Sequence, residues 1–404
     1  CGDAITVPDF FANRYRDKKV LKCVSALMII IFFVPYTASG FAACGKLFHS
    51  LFGVDYMAAM VISAIVIVAY TTLGGFWAAS TSDFIQSIVM SVALIIVIGY
   101  GVYSVGGIDV VASNVKDLPG YINLNATFDA TTNSSSPYGI ITIFSTLAWG
   151  LGYFGMPHIL LRFMAIEDAE KLKTSRRVGT IWVIIAMGIS VMIGVIGLAL
   201  SDNGSIGALQ GSGSETVIIE IASLLSQNGW FLAIIAGIIL SGILASTMST
   251  SDSQLLAASS SVSENLLEGV LSLNLSAGVK IVVARGSVII ISIIAMFLAS
   301  NPNSSVFQIV SFAWAGFGAT FGPVMLFALF WKRSNKYGAI SGMVAGGIMV
   351  FVWKFLVRPM GGVLGIYELL PAFIVASIFI VVVSLLTPAP EKEIVDEFES
   401  IKNY

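Results

Sequence analysis

Hydroxyl side chains are concentrated in one short stretch of this chain, because ten of the eighteen residues from 246 to 263 are Ser or Thr. They follow an apolar run, 231–244, that is typical of a membrane-buried helix. Four of them share one face of such a helix: Ser246, Ser249, Thr250 and Ser253. Neutral hydroxyl and carbonyl oxygens suit a hard cation, but small hydroxyl residues also let helices pack closely. The stripe alone leaves a cation site and helix packing both open.

A second segment, LAWGLGYFGMPH at 147–158, combines aromatic residues with helix breakers. Trp149, Tyr153 and Pro157 are four residues apart and share one helix face. The glycines and the proline loosen the backbone, and a helix broken there presents free carbonyl and N–H groups to a buried ligand. Tyr36, beside a proline in another apolar run, repeats the pattern. For each segment, an aromatic belt or a simple proline kink is the alternative.

Membrane-spanning helices must position these residues. Hydrophobic residues make up 57% of the 404, charged residues 11%, and the mean hydropathy is +0.92, which excludes a soluble globular protein. Ten runs are long enough to cross about 30 Å of hydrocarbon as helices. They lie near residues 24–47, 56–78, 83–106, 139–158, 177–200, 229–258, 280–300, 305–331, 337–357 and 366–387. The predicted fold class is an all-α polytopic membrane protein.

The basic residues predict the orientation of these spans. With the N-terminus in the cytoplasm, all but four of the 21 Lys and Arg residues fall on the cytoplasmic side. The exceptions are Lys46, Lys116, Lys354 and Arg358. We therefore expect both ends of the chain to be cytoplasmic. The sequence lacks an initiator Met and a signal peptide, so we also expect that its start is missing.

The segments between the spans differ in character. The predicted external segment 107–138 is long and polar. The second, 201–229, contains an apolar stretch too short to span, which we expect to lie over the external mouth as a lid or an interfacial helix. Residues 1–387 form the predicted transmembrane domain, and 388–404 form a charged, solvated cytoplasmic tail.

Enzyme chemistry and nucleic-acid binding find no support in the residues. The two histidines, His49 and His158, lie in no HExxH arrangement, and the chain has no P-loop and no basic aromatic patch. The three cysteines have no ligand spacing. We expect neither an enzyme nor an ATP-driven pump.

Three segments resemble the sodium/solute symporter family, and within it the bacterial sodium/proline symporters most closely. They are YTTLGGFWA at 70–78, LAWGLGYFGMPHILLRF at 147–163 and ILASTMSTSDSQLL at 243–256. The opening, DAITVPDFFANRYRDKK, is similar to the family's cytoplasmic loop. The resemblance implies a leucine-transporter-type helical bundle with two inverted repeats. Members have thirteen spans, so the resemblance also implies that about three helices are missing before residue 1, among them one that completes the binding sites.

The resemblance also implies roles for particular residues. Sodium would bind the hydroxyls of Ser249 and Thr250 and the carbonyl of Ser246. The substrate cavity would be lined by Tyr36, Trp149, Tyr153 and Pro157. Asp83 would lie on the path of sodium release, and its alternative role is that of an acid favoured by the dipole of a helix N-terminus after Ser82.

Asp252 is the one formal charge well inside the sixth predicted span. It lies about 240° around the helix from Ser246, off the hydroxyl stripe. We therefore expect a role at the cytoplasmic mouth or in an ion pair, with Arg285 as the candidate partner, in preference to direct sodium ligation.

The function implied by the resemblance is sodium-coupled secondary active uptake of L-proline by alternating access. The implied location is a bacterial plasma membrane, with Na⁺, L-proline and membrane lipid as partners and no nucleic acid. Two alternatives stay open: sodium symport of another small solute, such as pantothenate, a betaine or a sugar, and a non-transporting membrane signalling module.

Overall fold

The chain is helical because, in lipid, every backbone N–H and C=O must be bonded within its own segment. The computed structural model describes residues 4, 6–129, 131–273 and 275–402. The helices are α1 (Val7–Arg14), α2 (Val20–Phe52), α3 (Tyr56–Val105), α4 (Ile108–Asp117), α5 (Ile140–Ala148), α6 (Pro157–Met164), α7 (Lys171–Asp202), α8 (Val217–Ser226), α9 (Trp230–Ser260), α10 (Ala277–Leu298), α11 (Val306–Phe330), α12 (Lys336–Val352), α13 (Leu369–Leu386) and α14 (Lys392–Lys402).

Within the described ranges, nine helices are long and apolar enough to cross a membrane, and ten spans result when a bent pair is taken as one. The pair is Ile140–Gly155 with Pro157–Met164, which meet at 46°. Helix α3 supplies two spans, Tyr56–Gly75 and Ala79–Val105, because Gly75 adopts φ 63° and ψ −167°, which residues with a side chain rarely adopt. The ten predicted spans are confirmed.

Alternation of the spans gives the bundle two ends, which we name by what they carry. The basic end holds α1, residues 165–170 and α14. The hairpin end holds two antiparallel strands, β1 (Ala126–Asp129) and β2 (Ser134–Pro137), inside the long polar segment between α4 and α5. This small hairpin is the exception to the all-helical prediction, and it carries no residue of the predicted sites.

Helix α11 forms the centre of the bundle. In the most apolar 18 residues of α11, 78% are buried inside the protein. The next most buried span is α2, with 44% of the corresponding residues buried. Its small residues permit this burial, since a Cβ added at Gly316 would come within 2.0 Å of the Phe32 ring of α2. The broken segment and α13 also pack on α11. The neighbours of α11 therefore include both helices that carry the predicted aromatic residues.

The predicted charged tail contains a helix. Residues 392–402 form helix α14, which docks on the basic end. Arg16 pairs with Glu397 at 2.9 Å, and the guanidinium of Arg14 lies 5.0 Å from the ring centroid of Phe398. Polar and apolar residues alternate at helical spacing in α14, so one face can pack while the other stays in water.

Candidate functional site

The three predicted sodium ligands converge on one turn of α9. The carbonyl oxygen of Ser246 accepts the hydroxyls of Ser249 at 3.2 Å and of Thr250 at 3.0 Å. Each hydroxyl oxygen keeps its lone pairs, so the turn presents three neutral oxygen donors side by side. Helix α9 runs unbroken from Trp230 to Ser260, and helical spacing alone produces the cluster.

The aromatic segment is broken, as its composition predicts. Helix α5 tightens into a 3₁₀ turn at Trp149–Gly155, and Met156 is extended at φ −79° and ψ 107°. Pro157 then opens α6, a position where its missing N–H costs nothing. Gly152 is required by packing, because a Cβ there would lie 1.9 Å from Nε1 of Trp314.

The ring of Trp149 lies in an aromatic stack at the hairpin end. It packs on three rings: Phe307 at 5.3 Å, Trp314 at 5.5 Å and Tyr367 at 5.8 Å between centroids, all within 19° of parallel. The indole N–H of Trp314 donates to the carbonyl oxygen of Trp149 at 2.9 Å. Tyr153, half exposed, meets the Trp314 ring edge-on at 4.8 Å. We call Trp149, Phe307, Trp314 and Tyr367 the aromatic stack.

Tyr36 lies beside the residue that follows Pro157. Tyr36 is 8% exposed on α2, and its ring centroid lies 6.0 Å from that of His158, the residue after Pro157. Of the four predicted substrate residues, Trp149 and Tyr153 thus share Trp314, and Tyr36 and Pro157 share His158. The structure brings them together as two pairs along the same broken span.

Asp83 pairs with Arg162 near the basic end. Its side chain is 12% exposed, on the Ala79–Val105 half of α3, and one oxygen accepts Nη2 of Arg162. The same Nη2 donates to the hydroxyl of Ser253 at 2.9 Å, one turn along α9 from Thr250. Asp83 is therefore an ion-pair partner, and not simply a helix N-terminal acid.

The predicted partner of Asp252 is wrong. Asp252 is fully buried, and the hydroxyl of Tyr70 donates to its Oδ2 at 3.0 Å and lies 3.2 Å from the carbonyl oxygen of Met248. Arg285 forms no ion pair with any residue that the structure describes. The reason is helical geometry: Asp252 points from α9 towards α3, whereas Arg285 lies on α10. The position of Asp252, off the hydroxyl stripe, is as predicted.

A cavity of about 660 Å³ opens among α1, α6 and α9. Its lining includes Pro157, His158, Arg162 and Ser253, together with a group of serines at 259–263. The cavity therefore joins the broken segment to the Asp83–Arg162 pair. Tyr36, Trp149, Tyr153 and the three α9 ligands are not part of its lining.

A carboxylate ties three elements together at the hairpin end. Glu215, just before α8, pairs with Lys46 of α2 at 2.8 Å and accepts the hydroxyl of Ser305 at 2.8 Å. The backbone N–H groups of Val306 and Phe307 also donate to it, each at 3.2 Å. Partial burial would raise the pKa of Glu215, but these donors hold it below its usual range. The predicted lid is thus fastened to α2 and to the first turn of α11.

Four residues around the site were not predicted from the sequence: Arg162, Phe307, Trp314 and Tyr367. Phe307 and Trp314 are seven residues apart, so helical spacing could have placed them on one face. Another signal was the set of cations that departed from the topology rule. Lys46 pairs with Glu215, and both Lys354 and Arg358 pair with the buried Glu368, the neighbour of Tyr367. Three of the four exceptions therefore mark ion pairs that tie elements together at the hairpin end.

The fold and the site together define a class of protein. A polytopic bundle with one discontinuous span, aromatic rings beside the break and oxygen donors on a neighbouring span is the architecture of a secondary transporter.

The family follows from comparison with known proteins. Residues 2–346 match the model of the sodium:solute symporter family, and the chain belongs to that family. It is 39% identical to the osmoregulated proline transporter OpuE of Bacillus subtilis over 391 residues, which cover 96% of this chain and 76% of that protein. It is 40% identical to the sodium/proline symporter of Escherichia coli over 393 residues, covering 96% and 74%.

A solved structure has the same fold. The substrate-bound, outward-open state of a Na⁺-coupled sialic acid symporter superposes with a TM-score of 0.73 at 16% identity, over 96% of this chain and 78% of that one. The predicted leucine-transporter-type helical bundle is confirmed. The chain is a bacterial multi-pass membrane protein, and its family is one of transporters, not enzymes. These matches do not support the further prediction of about three helices before residue 1, which stays a prediction.

Proposed function

We propose that this protein takes up L-proline together with Na⁺ by alternating access in the bacterial plasma membrane. The observation that carries the proposal is the 39–40% identity, over 96% of the chain, to proteins named as sodium/proline symporters or proline transporters. Proline is a zwitterion, and the broken span offers it aromatic faces and free backbone groups in place of fixed charges.

The sodium site in this proposal is the α9 cluster of Ser246, Ser249 and Thr250. Three neutral oxygens hold a cation without the tight grip of a carboxylate, which suits an ion that must leave in every cycle. Ser253 lies one turn further along α9, bonds to Arg162, the partner of Asp83, and lines the cavity. These contacts support a sodium release path on this side of the cluster. One sodium ion entering down about 100 mV releases about 2.3 kcal/mol, which supports roughly fifty-fold accumulation.

Uptake of labelled proline into vesicles that hold the purified protein tests this function. We expect uptake to require an inward sodium gradient and to be competed by unlabelled proline. If pantothenate, a betaine or a sugar competed and proline did not, the substrate would be the competing solute and not proline. A protein that takes up no solute under a sodium gradient would favour the signalling alternative.

The sodium site is tested by the double variant Ser249→Ala, Thr250→Ala. Losing two oxygen donors to a cation should raise the sodium concentration for half-maximal uptake by roughly a hundredfold. Ser241→Ala is the matched control. Its hydroxyl also donates to the α9 backbone, at the carbonyl oxygen of Gly237, and it lies about two turns before Ser249. Unchanged sodium dependence in the double variant would remove the assignment.

The orientation in this proposal places the basic end, and both ends of the chain, in the cytoplasm. A cysteine at Ser134, in the hairpin, should react with an impermeant maleimide in intact cells. A cysteine at Ser400, in α14, should react only after the cells are permeabilised. The opposite pattern would invert the topology.

A further inference from the structure

The connection between α12 and α13 reaches the broken span, although both helices lie outside the elements to which sequence analysis assigned the site. Tyr367, 6% exposed, stacks on Trp149 at 5.8 Å and 19°. Its backbone N–H donates to the hydroxyl of Ser145 in α5 at 2.9 Å, and its own hydroxyl donates to the carbonyl oxygen of Ser311 in α11 at 2.5 Å. One residue thus holds the outer half of the broken span against α11.

The connection itself is held firmly in place. Glu368, next to Tyr367, is fully buried and pairs with Arg358 at 2.6 Å and with Lys354 at 3.4 Å. The indole N–H of Trp353 donates to the carbonyl oxygen of Ile366 at 3.1 Å. Separation from its cations would leave Glu368 as an unpaired buried charge, which is costly, so the Tyr367 backbone is held to the segment 354–358 that follows α12.

We propose that Tyr367 is a positioning residue, which holds the Trp149 ring in its orientation and thereby sets the affinity for the transported solute. This inference rests on the proposed function, in which Trp149 lines the substrate cavity. The ring of Trp149 has Phe307 and Trp314 of α11 as its other partners, so Tyr367 is its one stacking partner from outside α11 in the part of the chain that the structure describes. Stacked rings favour a single ring orientation. A side chain that is already ordered loses less conformational entropy when the solute binds, so the affinity is higher.

The test compares two substitutions at Tyr367 in purified protein in vesicles. Tyr367→Ala removes the ring and should raise the KM for proline about tenfold with Vmax within about twofold, because aromatic pairs are worth about one decade in an equilibrium constant. Tyr367→Phe keeps the ring and loses only the hydroxyl, so it should restore KM to within about threefold of the parent. Tyr103→Ala is the control, since that ring is 79% exposed at the hairpin end.

Three outcomes would overturn the inference. They are an unchanged KM in Tyr367→Ala, equal losses in Tyr367→Ala and Tyr367→Phe, and a fall in Vmax alone, which indicates damaged folding. If Tyr367→Ala does not insert, Tyr367→Leu replaces it, with the same expectation.

A second readout separates this inference from the proposed function. In protein carrying Tyr153→Cys, the cysteine lies against Trp314, and removal of Tyr367 should speed its labelling by an impermeant maleimide severalfold. The parent without the cysteine gives the background. Uptake is read separately, in the parent protein with Tyr153 intact. Faster labelling, with no proline uptake by the parent, would uphold the positioning role and reject proline as substrate. Unaltered labelling, with normal proline uptake by the parent, would reject the positioning role alone.

Discussion

The two ends of the bundle use their charges differently. At the hairpin end, three of the four cations that sequence analysis placed there are held by carboxylates: Lys46 by Glu215, and both Lys354 and Arg358 by Glu368. At the basic end, the pair nearest the broken span is Asp83 with Arg162, whose side chain is 44% exposed beside a cavity of about 660 Å³.

The difference teaches where each end gets its stability. The hairpin end combines buried ion pairs with the aromatic stack. Both resist separation, because an unpaired buried charge or an aromatic ring that loses its stacking partners costs free energy. At the basic end, the pair nearest the broken span borders open space and its Arg162 side chain is 44% exposed, so water can replace part of that contact at little cost. We therefore expect substitutions at the hairpin end to change stability, and those at the basic end to change transport.

The largest effect is expected at the most buried pair. Arg358→Gln leaves the fully buried Glu368 carboxylate with only Lys354, at 3.4 Å. The free energy of unfolding should fall by about 3 kcal/mol. This is the low end of the range for a broken buried ion pair, because the Arg358 side chain is itself 38% exposed. Thermal unfolding in detergent measures this, and Arg358→Lys should recover part of the loss. A Tm equal to that of the parent would mean that the hairpin end does not depend on this pair.

A transport effect is expected at the opposite end. Arg162→Gln leaves Asp83, only 12% exposed, without its cation, whereas Arg162→Lys keeps the charge. We expect the initial rate of proline uptake to fall roughly tenfold in the glutamine variant and much less in the lysine variant, with little change in Tm. A lower Tm with normal uptake would show that the two ends are alike.

A smaller effect, dependent on pH, is expected at Glu215. Its pKa is lowered in the folded protein, so its stabilising contribution is complete above the unfolded-state value and is lost as pH falls through the lower folded value. Glu215→Gln should cost about 1 kcal/mol, and the Tm difference from the parent should stay constant from pH 8 to pH 5 and shrink in stronger acid. Glu220→Gln, in the adjoining α8, is the control. A difference that vanishes near neutral pH would contradict the lowered pKa.

The smallest effect is expected on the outer surface of the basic end. Lys332 and Glu399 form a pair at 2.8 Å with both side chains more than half exposed. Lys332→Gln should leave both Tm and uptake unchanged within error, since exposed pairs contribute little. A measurable loss in either quantity would give the docking of α14 a larger role than its charges suggest.

Features set by local spacing could be predicted from the sequence. Ser246, Ser249 and Thr250 meet because the helix repeats every 3.6 residues, and the break before Pro157 follows from its glycines and from the missing N–H of proline. The spans followed from hydropathy in the same way. The roles of these residues in binding stay predictions.

Contacts between distant segments could not be predicted in this way. The partner of Asp252 is Tyr70, which lies 182 residues away, and nothing near either residue distinguishes it from Arg285. Tyr367 reaches Trp149 because the bundle closes on itself, and its sequence neighbourhood, GGVLGIYELL at 361–370, carries no pattern that indicates this contact. These contacts depend on which helices become neighbours, and hydropathy does not determine that arrangement.

The docking of α14 has a consequence for biosynthesis. Arg16 and Glu397 are 381 residues apart, so the ribosome must add all the intervening spans before their contact forms. Phe398 then packs on the guanidinium of Arg14, which also donates to the carbonyl oxygen of Ala328 in α11. The contact therefore distinguishes a chain whose synthesis has passed Phe398 from one that stopped earlier.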